Sequence, residues 1–204
     1  MLSRCAALVL VAATVATGLS PSFVRSSAVV RATTSALQMS SDASVAEVAT
    51  GTKLPNIVLK EGQAEYGTPA DVNLLDLCKG KKIVIFAVPG AFTPGCSKSH
   101  LPSFVTAKEE LKEKGVDMVL CVATNDAYVM EAWGRTSGGA EAGIRFLSDA
   151  DASLTRALGL AIEGDVMVRS KRYSLIAEDG VITHYFSSKK ESSDTWAPNV
   201  LAAL

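Results

Sequence analysis

The stretch from Ile83 to Cys96 constrains this chain more than any other. Ile83 to Val88 is an apolar run of strand length. It breaks at Pro89-Gly90, passes through Thr93-Pro94-Gly95 and delivers Cys96 where a helical pattern begins. A cysteine is thereby set at a strand-to-helix turn. The first N–H groups of a helix lack intrahelical acceptors and point at whatever sits there, so an anion is favoured. Sulfur at such a position is favoured as thiolate, the nucleophilic form.

The remaining chain supplies partners for that strand. Leu54 to Leu59 has strand character, and Glu61 to Pro69, with two glycines and a proline, reads as loop. Asn73 to Cys78 is a short apolar segment closed by a turn at Lys79-Gly80, where Cys78 packs as a small hydrophobe. After Cys96, the apolar positions Leu101, Phe104, Val105 and Leu111 alternate with charged residues and predict an amphipathic helix ended by Gly115. Pro102 lies inside it and should kink it. Val116 to Ala123 is a second apolar strand, so strand-helix-strand order implies a parallel crossover. Asn125-Asp126 caps a helix through Trp133, Gly134 to Gly143 reads as a small-residue loop, and Ile144 to Leu147 as a strand. A helix is expected over Asp149 to Leu158, a hairpin of Arg172–Ala177 and Val181–Phe186 around Asp179-Gly180, and a terminal helix from Trp196. The layout is α/β, a central mixed β-sheet flanked by helices with the nucleophile at a strand tip, as in thioredoxin-like folds.

Charge and cysteine usage narrow the partners. Residues 1–41 contain Arg4, Arg25 and Arg31 but no acid, which leaves 17 basic against 21 acidic residues in 42–204. No basic patch for nucleic acid is expected. Met1 to Gly18 has a basic start and an apolar stretch of signal-peptide length, too short to span a membrane. Leu19 to Ser41, rich in Ser, Thr, Ala and Arg, has transit-peptide composition. Residues 1–41 are therefore read as a bipartite leader and 42–204 as the domain, with 42–52 a disordered junction. The expected address is a plastid bounded by extra membranes, reached through the endoplasmic reticulum, with Phe23 near the first cleavage site and no membrane association afterwards. The alternative is a secretory signal followed by a linker. Cys5 leaves with the leader; Cys78, Cys96 and Cys121 remain, an odd count that suits a redox enzyme in a reducing compartment.

The spacing Pro89-x3-Thr93-x2-Cys96 and the block GAFTPGCSKSHLPSF resemble the type II, or atypical, branch of the peroxiredoxins. The similarity continues through Cys121, Asn125-Asp126, Trp133 and Lys171-Arg172-Tyr173-Ser174 to Pro198. It implies the thioredoxin-like fold and a thiol-dependent peroxidase acting on hydrogen peroxide and small alkyl hydroperoxides. It also implies electrons from thioredoxin or from glutaredoxin and glutathione; no cofactor is expected, and the sequence leaves monomer or homodimer open. The site arginine of the family falls on Arg172; Arg169 is close by but outside the match.

Peroxide chemistry explains why these residue types belong together. Thiolate attack on one oxygen expels the other as alkoxide or hydroxide, so negative charge moves off sulfur and must be held at both ends. Cys96 supplies the sulfur. Thr93 can place a hydroxyl against the peroxide, the N–H groups of Gly95 and Cys96 are further donors, and Pro89 can shield the sulfur from water. A guanidinium would stabilise both thiolate and leaving group. Each also has a plainer reading: Cys96 as an inert buried thiol, Thr93 as a turn residue, Arg172 as a surface ion-pair partner. His100, four residues after Cys96, is a candidate proton donor or a packing residue.

The sulfenic acid left on Cys96 needs a second thiol. Cys121 lies near the end of its strand and shares a sheet edge with Cys96, and the kink near Pro102 could allow unwinding that brings them together. Plant-like type II members use a cysteine at this spacing, whereas mammalian-like members resolve with a later one. The later segment here, Glu191 to Trp196, has none. A one-Cys mechanism with external thiol is the alternative. No metal, haem or nucleotide motif is present. Two other functions compete: a thioredoxin-fold metal carrier using Cys96, His100 and Cys121, and a peroxide sensor that relays oxidation to a partner protein. A disulfide reductase is weaker, because Cys-x-x-Cys is absent.

Overall fold

The structure, a computed structural model, describes residues 45–204. The expected leader over 1–41 lies outside the described residues. Nine strands and six α-helices are described: β1 (Val58–Glu61), β2 (Ala70–Asn73), α1 (Leu74–Cys78), β3 (Lys82–Ala87), α2 (Leu101–Thr106), α3 (Lys108–Glu113), β4 (Met118–Ala123), α4 (Ala127–Thr136), β5 (Ile144–Ser148), α5 (Ser153–Ala157), β6 (Ala161–Ile162), β7 (Arg169–Ser170), β8 (Tyr173–Glu178), β9 (Val181–Ser187) and α6 (Ala197–Ala203). Seven strands form one mixed sheet in the order β2-β1-β5-β4-β3-β8-β9, and β6 and β7 pair separately.

Strands β3, β4 and β5 run parallel, as the two apolar runs and the connecting helix require, while β8 runs antiparallel to β3. That antiparallel pairing decides where the site forms. Ala87, the last residue of β3, faces Tyr173, the first of β8, so Arg172 arrives beside the loop that leaves β3. Alternate residues of the central strands point to opposite faces. Ile83, Ile85, Leu120 and Val122 pack with Leu74, Leu154 and Leu158 on one side. Val84, Phe86, Cys121 and Ala123 pack with Cys96, Leu101, Phe104 and Trp133 on the other.

Several boundaries differ from expectation, each for a physical reason. Residues 45–52 are an ordered strap instead of a disordered junction: Val48 is buried and its N–H donates to the Leu158 carbonyl, and Gly51 N–H donates to Ile182. The strand expected at Leu54 begins only at Val58, because Leu54 N–H turns away to the Gly180 carbonyl. Glu61 to Pro69 is mostly loop, with a 3-10 turn at Ala64–Tyr66. The segment near Asn73 is a strand end and a short helix, with the Asn73 side chain accepting from Asp76 N–H as its cap. Helix α4 extends through Thr136, into the expected loop. The helix expected from Asp149 starts only at Ser153, since Ala152 adopts left-handed φ 57°. The buried Asp149 carboxylate instead accepts from the N–H groups of Leu154 and Thr155, which caps the helix from a distance.

The helix after Cys96 is also not one regular piece. Pro102 has no N–H, and its ring crowds the carbonyl four residues back. The chain widens into a π-helical turn over Cys96–His100, with Leu101 N–H donating to the Cys96 carbonyl, before α2 begins. The expected kink is thus taken up as a π turn. Gly115, at φ +81°, closes the segment.

Candidate active site

Two turns of chain converge at the carboxyl end of β3. The first is Pro89–Cys96. Asn125 fixes it by accepting the Ala91 N–H at Oδ1 (2.9 Å), and Ser148 Oγ donates to the Asn125 carbonyl in turn (2.7 Å). The exposed Arg169 donates from Nη1 to the Pro89 carbonyl at 3.0 Å and packs against Gly90, where a Cβ would lie 2.7 Å from that nitrogen. Ser97 N–H donates to the Thr93 carbonyl at 2.9 Å and closes the first helical turn. The N–H groups of Gly95 and Cys96 precede that bond and are free by position to face an anion.

The second turn brings Arg172. Its Nη2 donates to Cys96 Sγ at 3.2 Å and its Nη1 donates to His100 Nδ1 at 2.9 Å. Gly95 lies under the guanidinium, where a Cβ would be 3.4 Å from Nη2. Cys96 itself is fully buried among apolar neighbours, yet its sulfur touches the arginine. A charge at Sγ therefore meets a fixed cation where water cannot screen it.

The guanidinium can only donate, so His100 Nδ1 must accept and the ring proton sits on Nε2. That proton is donated to the Thr195 carbonyl at 3.0 Å, which also accepts from Ser174 Oγ at 2.5 Å. Phe86 packs edge-on against the imidazole at a centroid distance of 5.1 Å. Burial, reinforced by the Arg172 charge, pulls the His100 pKa down to about 3. His100 is thus held neutral, with its one ring proton committed to the Thr195 carbonyl and its other nitrogen to Arg172, an arrangement that favours the packing reading over the proton donor. Its Nδ1 lone pair is occupied by Arg172, so it cannot share a metal ion with Cys96. Among the described residues, no group of three His, Cys, Asp or Glu could hold a metal.

Thr93 is placed differently from expectation in one respect. Its hydroxyl donates to the Gly90 carbonyl at 2.9 Å, which leaves the oxygen lone pairs to accept from an incoming O–H. Cys121 is buried in β4 between β3 and β5, in the same core layer as Cys96. Burial, with the Cys96 charge adding to it, pushes the Cys121 thiol well up. Cys78 lies in the opposite layer, its thiol raised by burial to about 11, as expected of a packing residue.

The pattern of sequence missed the supports of this site. Asn125 was legible only as a neighbour of the Asp126 cap, whereas its side chain reaches 34 residues back. Trp133 Nε1 donates to Ser97 Oγ at 3.1 Å and pins the residue after the cysteine. Thr195 and Ser174 carried no local signal at all.

The redoxin family model matches residues 49–203. Peroxiredoxin-2E-2, chloroplastic, of Oryza sativa subsp. japonica is 46% identical over 143 residues, covering 68% of this chain and 64% of that protein. The chain thus spans just under two thirds of that relative. Peroxiredoxin-2C of the same plant is 40% identical, covering 68% of this chain and 86% of that one. Among solved structures, reduced Prx3 of Vibrio vulnificus in complex with H2O2 is 42% identical with a TM-score of 0.70, covering 76% of this chain and 98% of that one.

Proposed function

Because this chain belongs to the redoxin family, in its type II peroxiredoxin branch, we propose that it is a thiol-dependent peroxidase in which Cys96 attacks the peroxide. One observation carries the assignment: a guanidinium at 3.2 Å from a sulfur at the start of a helix. The Cys96 thiolate attacks the nearer peroxide oxygen, an S–O bond forms and the O–O bond breaks. The departing oxygen carries the electron pair away, takes a proton and leaves as water or alcohol, with Cys96 oxidised to sulfenic acid. Arg172 lies against the charge at the start of this transfer and reaches the leaving oxygen at its end. Thr93 accepts from the O–H of the peroxide and so orients it. The N–H groups of Gly95 and Cys96 are further donors, and Pro89 walls the sulfur from water. Cys96 has no accessible surface in this conformation, which favours small hydroperoxides.

Return of Cys96 to the thiolate requires a second sulfur. Cys121 is protonated and held in a central strand, so an external thiol, glutathione with glutaredoxin or thioredoxin, is the route its surroundings favour. Internal resolution by Cys121 is the alternative, supported by the shared core layer. Mass spectrometry under non-reducing conditions, after one equivalent of peroxide and then glutathione, separates them. A glutathione adduct on Cys96 supports the first, and a Cys96–Cys121 linkage contradicts it. The chloroplastic relatives support a plastid address, with passage through the endoplasmic reticulum proposed from the composition of residues 1–41. Fusing residues 1–41 to a fluorescent protein tests it, and fluorescence in the medium would overturn it.

A further inference from the structure

A cavity of about 430 Å³ opens beside the site and shares Pro89 and Arg172 with it. Its outer wall is charged. Lys171 and Lys189 both approach Glu47 Oε2, at 3.6 and 3.0 Å, while Tyr185 donates its hydroxyl to Glu47 Oε1 at 2.6 Å. Glu47 comes from the strap at 45–52 and holds the two ammonium groups on one side of the cavity. Each ammonium has three donors, and one bridge to Glu47 leaves two of them free. The lysine side chains are 42% and 69% exposed, so both are open to solvent.

The charge balance of this cavity depends on the state of Cys96. Lys171, Lys189 and Arg172 face a single carboxylate, an excess of two positive charges. While the sulfur is a thiolate, it neutralises Arg172 and the excess is one. Oxidation to sulfenic acid removes the negative charge, because that group is neutral, and the excess returns to two.

We propose that this cavity receives the carboxylate end of the small thiol that reduces oxidised Cys96, and that it attracts that thiol more strongly once the sulfur is oxidised. The inference rests on the peroxidase reading above and adds the place and chemical class of the reductant: a peptide thiol bearing carboxylates, such as glutathione. Sγ has no accessible surface while the π turn over Cys96–His100 is formed, so that turn must open first; the thiolate then attacks Sγ of the sulfenic acid, an S–S bond forms and the S–O bond breaks. Hydroxide leaves and takes up a proton to become water. A second thiol then exchanges into the mixed disulfide, frees Cys96 as thiolate and departs in the disulfide of the reductant.

The test isolates this half of the cycle. Protein oxidised by one equivalent of hydrogen peroxide is mixed with glutathione or with β-mercaptoethanol, which lacks a carboxylate, and adduct formation is followed by quenched mass spectrometry. The Lys171→Gln/Lys189→Gln variant should form the glutathione adduct about tenfold more slowly than the wild type, and the β-mercaptoethanol adduct at the wild-type rate. Added salt should slow the wild type with glutathione alone. In a second measurement, unreactive S-methylglutathione should bind Cys96→Ser, whose hydroxyl is neutral, severalfold more tightly than the reduced wild type. Equal glutathione rates in variant and wild type, equal loss with both thiols, or equal binding of the analogue would overturn the proposal. Sulfenic acid that forms but never reacts with glutathione overturns this inference alone. Failure of peroxide to oxidise Cys96 at all overturns the peroxidase reading and this one with it.

Discussion

His100 should make the protein acid-sensitive in a way that one substitution removes. Folded, its imidazole is held neutral down to about 3 by burial and by Arg172, against an ordinary value of 6.5. The unfolded chain therefore binds the proton first. Stability from this group is complete above the ordinary value and falls as pH drops through the window below it. Moving from about pH 7 to about pH 5 shifts the equilibrium by roughly 1.5 pH units of proton binding to the unfolded chain, or about 2 kcal/mol. His100→Gln removes the titration but keeps an acceptor for Arg172 Nη1 and a donor for the Thr195 carbonyl. Urea unfolding at the two pH values gives the free-energy change for each protein. Glu47, Asp149 and the other titrating groups are common to both, so they cancel in the difference. The wild type should lose about 2 kcal/mol more than the variant. Equal losses would mean that His100 is not held neutral by burial and Arg172, and the hydrogen-bond chain from Thr195 to Cys96 would lose its basis.

Other substitutions probe the same construction. Arg172→Lys offers one ammonium that cannot meet both Cys96 Sγ and His100 Nδ1, so oxidation of Cys96 by hydrogen peroxide in stopped flow should slow about 100-fold; a loss under roughly threefold would refute the role. Gly134→Ala puts a Cβ 2.5 Å from the Phe146 ring and should cost about 1–3 kcal/mol in urea unfolding, with an unchanged midpoint as the contrary result. Cys121→Ser should keep glutathione-dependent turnover within about twofold of wild type, because the buried thiol is a poor nucleophile; loss of turnover would return resolution to Cys121.

Features specified by local chemistry were legible in the sequence. The hairpin at Asp179-Gly180 could be read because a tight turn needs left-handed backbone at both positions, and they adopt φ 48° and 77°. The loop to Cys96 was legible for a similar reason, since proline and glycine punctuate it. What depends on tertiary contact was not. Ala70–Asn73 becomes an edge strand only by pairing with β1, and its ADVN sequence has no strand periodicity of its own. The π turn follows from Pro102, but the sequence cannot tell a kink from a widened turn. Arg172 and His100 stand 72 residues apart, and only the antiparallel register of β8 on β3 joins them. The family resemblance located the arginine; spacing from Cys96 singled out the histidine, but nothing in the residues themselves predicted that it would stand behind Arg172.

The role of Cys96 as the attacking sulfur is tested most directly by what one equivalent of hydrogen peroxide does to the reduced protein. Trapping with dimedone and peptide mass spectrometry should find sulfenic acid on Cys96, with Cys78 and Cys121 unmodified and no label in Cys96→Ser. A label on either buried cysteine in preference to Cys96, or peroxide left unconsumed by the wild type, would contradict it.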